Sequence, residues 1–178
     1  MTASGNMWLM ASFSRDWLRD AYAESQREGP DHRRREVLFS VCLVESYLLE
    51  LVRDVILRMD IDALQFYFPA GRRLGIEEKF KEVLKHLHKD GRVAGTPNFG
   101  GRVWADFVRL VRMRDGLIHA SISRPISINT ENAPYCELSG LTAGWAMGVA
   151  QSLLIAMHEA AKIEAIVWLA HPEMLPQV

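Results

Sequence analysis

Apolar residues recur along this chain at steps of three and four, the repeat of helices with one buried face. The longest such stretch opens at Asp31, a suitable N-cap just after Gly29-Pro30, and runs to about Asp60. Within it Val37, Val41, Val44, Leu48, Leu51, Val52 and Val55 form one stripe, and Leu38, Cys42, Leu49 and Ile56 widen it. This helix is therefore expected to be largely buried. Before it, residues 12–28 predict a shorter helix, with Ser12 or Ser14 as cap and Phe13, Trp17, Leu18 and Ala21 at helical spacing. A third helix over about 76–89 turns Ile76, Phe80, Val83, Leu84 and Leu87 to one side and Lys79, Lys81, Lys85 and Lys89 away from it. A fourth over about 101–120 points Val103, Phe107, Leu110, Val111 and Ile118 inward, and a fifth covers about 141–170.

Gly and Pro clusters separate these segments: Pro69-Ala70-Gly71, Gly95-Thr96-Pro97, Gly100-Gly101, a loop from Pro125 to about Gly140, and His171-Pro172. No strand pattern competes, because Pro125 interrupts the alternation of Ile122, Ile126 and Ile128 with Ser. The pattern predicts an all-α protein, an antiparallel four-helix bundle with an additional flanking helix. The whole chain, 1–178, reads as one domain, with 1–30 as the flank and 31–171 as the bundle.

In the last helix Leu141–Met157 is strongly apolar, yet it is shorter than the roughly 20 residues a membrane span needs. Gly140, Gly144, Gly148 and Ser152 recur every four residues and make a smooth ridge. Such a ridge admits another helix closely, either inside the bundle or across a dimer.

Composition narrows the class. With 178 residues and 49% hydrophobic content, the chain can bury a sufficient core, which excludes dominant disorder. Cys42 and Cys136 have no metal or redox spacing, and Cys42 reads as a small core residue in a reducing, cytoplasmic setting. Met1–Ser14 lacks a basic leader, so no signal peptide is expected. The net charge of −1 excludes a globally basic nucleic-acid binder. The charge is nevertheless uneven: residues 72–124 carry 12 Lys and Arg against 6 acids, while both flanks are acidic. The middle third is either a solvated helical face or an anion site, most plausibly for phosphate.

Candidate chemistry gathers in that basic third. Arg109, Arg112 and Arg114 lie in one helix that ends at His119. Asp115, four residues before His119, shares a helical face with it and could fix the imidazole tautomer. The guanidinium of Arg114 could grip a phosphate with two nitrogens. These are the parts needed for phosphodiester cleavage. The ordinary readings are a histidine bonding the last carbonyls of its helix and an arginine-rich solvated face. Glu45, an acid in an apolar helix, is either satisfied by a nearby Arg or backbone donor or supports the Arg114–His119 pair. Arg72 and Arg73, and Arg33-Arg34-Arg35, could meet phosphates. His86 and His88 are two apart and face different ways, a poor metal pair. His158 reads as structural, and no phosphate-binding Gly-rich loop is present.

The run Arg114-Asp115-Gly116-Leu117-Ile118-His119 resembles the Arg-x4–6-His motif of HEPN domains, in which a polar residue commonly follows the Arg. The segment Val37–Leu49 with Glu45 resembles the early helix of that family, and Ile76–Phe80 a segment that precedes the motif helix. The resemblance covers about 35–170 in helix order. It implies a four- or five-helix bundle, a homodimer, and a cleft lined by Arg114 and His119 of two protomers. It also implies a metal-independent endoribonuclease with no cofactor, of a toxin or phage-defence type, with RNA as substrate. An antitoxin or nucleotidyltransferase partner would accompany it. Members without catalysis serve instead as dimerisation or nucleotide- and RNA-binding modules.

Helix geometry adds its own argument for two chains. Residues five apart point about 140° apart on an ideal helix, so Arg114 and His119 of one chain converge poorly. Arg112, seven residues from His119, is only about 20° away and is the rival within the chain. Arg114 is preferred because Asp115 follows it.

Overall fold

A computed structural model describes residues 13–58, 60–68, 74–118, 140–164 and 167–175. Its helices are α1 (Ser14–Ser25), α2 (Pro30–Glu50), α3 (Ile61–Tyr67), α4 (Ile76–Lys89), α5 (Arg102–Ile118), α6 (Trp145–Ala161) and α7 (Val167–Ala170). A π-helical segment, Leu51–Ile56, extends α2, and a 3₁₀ turn, Pro172–Met174, follows α7. The protein is all-α, with no strand among the described residues. None of its described helices is long and apolar enough to cross a membrane.

The helix starts depend on tertiary contacts. At α1, Phe13 occupies the cap position and supplies no side-chain bond. Glu50 of α2 does so instead, accepting the N–H of Phe13 at 2.7 Å and of Ser14 at 3.0 Å, and the Ser14 hydroxyl as well. Ser14, expected as a cap, is thus a buried first-turn residue. The expected cap of α2, Asp31, is also inside the first turn. The helix starts one residue earlier at Pro30, whose ring presets φ and whose missing N–H costs nothing there.

The end of α2 departs further from the periodicity. It becomes π-helical after Glu50, and the N–H of Leu57 bonds back to Val52 at 2.8 Å. The wider turn displaces the apolar stripe, so Arg53 is buried while Val55, expected inward, is exposed. Asp60, expected as the end of the same helix, caps a new one by accepting the N–H of Ala63 at 3.0 Å. The long C-terminal helix is likewise shorter than expected. α6 stops at Ala161, Lys162 turns left-handed at φ 55°, and the N–H of Ile163 returns to the His158 carbonyl at 3.1 Å.

α1 packs on α2, α2 on α5 and α6, α5 on α6, and α4 on α5. Phe80, Phe107, Leu110, Leu154 and Met157 are fully buried where these faces meet. Ile118, expected inward, is exposed at the end of α5. The start of α6 is held by Glu36, a buried carboxylate of α2. It accepts the N–H of Gly144 at 3.3 Å and of Met147 at 3.2 Å, and it pairs with buried Arg33 at 3.3 Å. The 90–101 connection closes over the other end of α6. There the Ala94 N–H donates to the Ala161 carbonyl, and a Cβ on Gly95 would stand 3.0 Å from the Ala160 carbonyl oxygen. Along the ridge of small residues, Gly144 lies against Ser25 of α1, whereas among the described residues the space beside Gly148 is open and Ser152 is exposed.

Candidate functional site

Arg114 sits near the end of α5 and faces α2 and the start of α4. With Glu45, Glu77, Glu78 and Asp115 it lines an open groove of about 470 Å³. Its side chain is 24% exposed, and its Nε lies 3.1 Å from the Asp115 carboxylate. That nitrogen is buried and lacks a well-formed hydrogen bond. Asp115 is the only ion-pair partner of Arg114 among the described residues.

Glu45 joins this groove, but not from an apolar setting. It lies about 100° round α2 from buried Val44, and its side chain is half exposed. Lys79 of α4 donates to it at 2.6 Å. Cys42, one turn earlier on α2, is half-buried beside the same charges. Burial pushes its thiol up and the Glu45 charge pushes the same way, while Arg114 opposes them. The spacing of Cys42 and Glu45, i to i+3, was the signal that both share a face.

The remaining candidates are dispersed. Arg109 lies with its guanidinium 5.1 Å from the ring centroid of Trp145, on the side of α5 that meets α6. Arg112 is exposed and about 200° round the helix from Arg114. His119, Arg72 and Arg73 lie outside the described residues. Among the described residues, no three His, Cys, Asp or Glu side chains converge in a way that could hold a metal ion.

His158 is fully buried on α6. Its Nδ1 faces the Ile163 carbonyl at 3.2 Å and its Nε2 meets the Tyr47 hydroxyl at 2.7 Å. Glu36, Glu50 and Tyr47 escaped the sequence reading because each acts on a residue remote in the chain.

Compared with known proteins, the chain matches no family model, no curated protein and no solved structure.

Proposed function

We propose that the protein is a metal-independent endoribonuclease of HEPN type. In this reading α2, α4, α5 and α6 form the antiparallel bundle and α1 flanks it. The observation that carries the reading is the state of Arg114. It has a single ion-pair partner among the described residues, a buried Nε without a proper hydrogen bond, and a groove open to a ligand. Such a guanidinium has capacity left for a phosphate.

His119 follows α5 directly in the chain. It takes the proton of the ribose 2′-hydroxyl as base, or gives one to the leaving 5′-oxygen as acid. Its ordinary pKa, about 6.5, suits both roles. The 2′-oxygen attacks phosphorus, the 5′-oxygen leaves, and the product carries a 2′,3′-cyclic phosphate. Arg114 stabilises the charge that grows on the phosphorane oxygens. A homodimer in the cytoplasm supplies Arg114 and His119 from different protomers, and a toxin or defence role with a protein antitoxin fits such an enzyme.

A second reading is a non-catalytic HEPN-like module for dimerisation or for nucleotide or RNA binding. The observation that favours it is the set of four carboxylates, Glu45, Glu77, Glu78 and Asp115, around one arginine. They repel a polyanion at short range. A ribonuclease assay in chelator separates the two readings. Cleavage by the wild type that disappears in Arg114→Ala and His119→Ala supports the enzyme; cleavage that persists in His119→Ala refutes it.

A further inference from the structure

α4 opens on two acids and carries most of its lysines farther along, with Glu82 between Lys81 and Lys85. Glu77 and Glu78, in its first turn, line the Arg114 groove. Lys81 and Lys85, farther on, lie over aromatic rings instead. The Lys81 ammonium is 4.7 Å from the Trp104 ring centroid and 5.8 Å from that of Phe99, and the Lys85 ammonium is 6.0 Å from Phe99. Neither lysine has a carboxylate partner among the described residues. A ring face attracts a cation without neutralising it, so both charges remain available to an anion.

The rings are themselves held in place. Phe99 meets Trp104 edge-on at 4.9 Å, and Phe80 and Phe107 back Trp104 from the core. Trp104 also borders a shallow cleft of about 260 Å³ formed with Pro97, Asn98 and Gly101 and with Leu153 and Ala156 of α6. Arg102 stands at the rim of that cleft, with 94% of its side chain exposed and its carboxylate neighbour, Asp106, as far as 3.7 Å. An exposed pair at that distance contributes little and leaves the guanidinium accessible. Lys81 and Lys85 thus lie over the Phe99–Trp104 pair, of which Trp104 is itself buried, and Arg102 lines the cleft that Trp104 borders.

We propose that Lys81, Lys85 and Arg102 hold the sugar–phosphate backbone of single-stranded RNA, with a base seated in the cleft beside Trp104. A mainly apolar cleft with cations close by suits single strands, whose bases are free to leave a stack. The choice of RNA rests on the ribonuclease reading. The placement deepens that reading. The start of α4 adjoins the end of α5 at Arg114, and Lys81 adjoins the start of α5 at Trp104. Trp104 and Arg114 are ten residues apart, about 15 Å of helix. RNA anchored here therefore reaches the Arg114 groove within a few nucleotides, and the anchor offsets the repulsion of the carboxylates there.

The test is fluorescence anisotropy with a short labelled single-stranded RNA and the full chain carrying His119→Ala, at salt from about 50 to 200 mM. Replacing Lys81, Lys85 and Arg102 together by Gln should weaken binding at least tenfold at the low-salt end. The log–log salt slope should become shallower by roughly 2, since each phosphate contact contributes about 0.7 for single strands. Lys81→Arg with Lys85→Arg should retain binding, and circular dichroism should show the Gln variant folded. Parental affinity and slope in a folded Gln variant would overturn the proposal. So would loss of binding confined to Arg114→Ala, which leaves the ribonuclease reading standing. Equal competition by duplex DNA would overturn the assignment to single strands. Binding with the expected slope but no cleavage by the wild type supports the anchor and removes the ribonuclease reading.

Discussion

The hydroxyl of Tyr47 donates to Nε2 of His158 at 2.7 Å, joining α2 to α6 across 111 positions of sequence. The opposite ring nitrogen, Nδ1, donates to the Ile163 carbonyl, so the imidazole is neutral with both nitrogens used. Burial is the main cause that holds its pKa below the usual histidine value, against the backbone carbonyls of Ile163 and Glu164. Burial, with the Glu50 charge, also pushes the Tyr47 phenol far up, so it remains a donor throughout the neutral range. Removing the hydroxyl in Tyr47→Phe leaves a buried acceptor unpaired and should cost about 1–3 kcal/mol in urea unfolding. A loss near zero would show that Nε2 finds another donor.

The same histidine sets a pH dependence. The unfolded chain takes up its imidazole proton near pH 6.5, while the folded chain resists it until lower pH. The contribution of His158 is therefore present above about pH 6.5 and is lost as pH falls through the depressed folded value. Wild-type stability should drop across this window, and the drop should be smaller in His158→Gln. Parallel stability profiles for the two proteins would contradict this.

Glu36 is buried with Arg33 beneath the first turn of α6. Glu36→Ala removes the cap of α6 and leaves a buried guanidinium without its buried partner. About 3–5 kcal/mol of stability should disappear, which for a domain of this size approaches unfolding. Glu36→Gln keeps one acceptor oxygen and should fall between. Denaturant midpoints for the three proteins give the order directly.

The two glycines Gly95 and Gly148 should respond in opposite directions. An added methyl at Gly95 meets the Ala160 carbonyl oxygen at 3.0 Å, and Gly95→Ala should cost about 1–3 kcal/mol through overpacking. At Gly148 nothing lies within 4 Å, and Gly148→Ala should stabilise the protomer by up to about 1 kcal/mol through helix propensity. Thermal unfolding of both variants checks the pair, and destabilisation by Gly148→Ala would reveal a partner surface packed on the ridge.

A composite site predicts complementation. Arg114→Ala and His119→Ala proteins should each be inactive alone. After mixing and subunit exchange, about half of the dimers pair one of each, and one of their two sites is intact, so roughly a quarter of wild-type activity should return. Inactivity of the mixture in a protein that still exchanges subunits would place both residues in one chain.

α4 is the element that the sequence specifies most completely. Its bounds, 76 to 89, and all five of its inward residues agree with the apolar period. Its face is narrow and flanked by charge, so a single register buries it. α2 was legible only in part: the stripe from Val37 to Val52 is buried, but the π turn after Glu50 is invisible to a 3.6-residue period. That turn changes which residues face inward, and it made Arg53 and Val55 exchange the environments their chemistry suggests. Helix ends were the least legible. Glu50 and Glu36 cap α1 and α6 from α2, across 36 and 108 positions.

The candidate site divides in the same way. Arg114 and Asp115 are neighbours in sequence, and their ion pair is local. Glu45 reaches the same groove because α2 and α5 pack together, and Lys79 balances it because α4 adjoins both. Lys81 and Lys85 were visible only as the charged side of a helix. The sequence by itself determined an all-α chain, the inward face of α4 and the basic character of its middle third, because periodicity and charge are local properties. Tertiary structure alone decided which charges are paired, capped or left over aromatic rings, because each depends on the approach of side chains from remote helices.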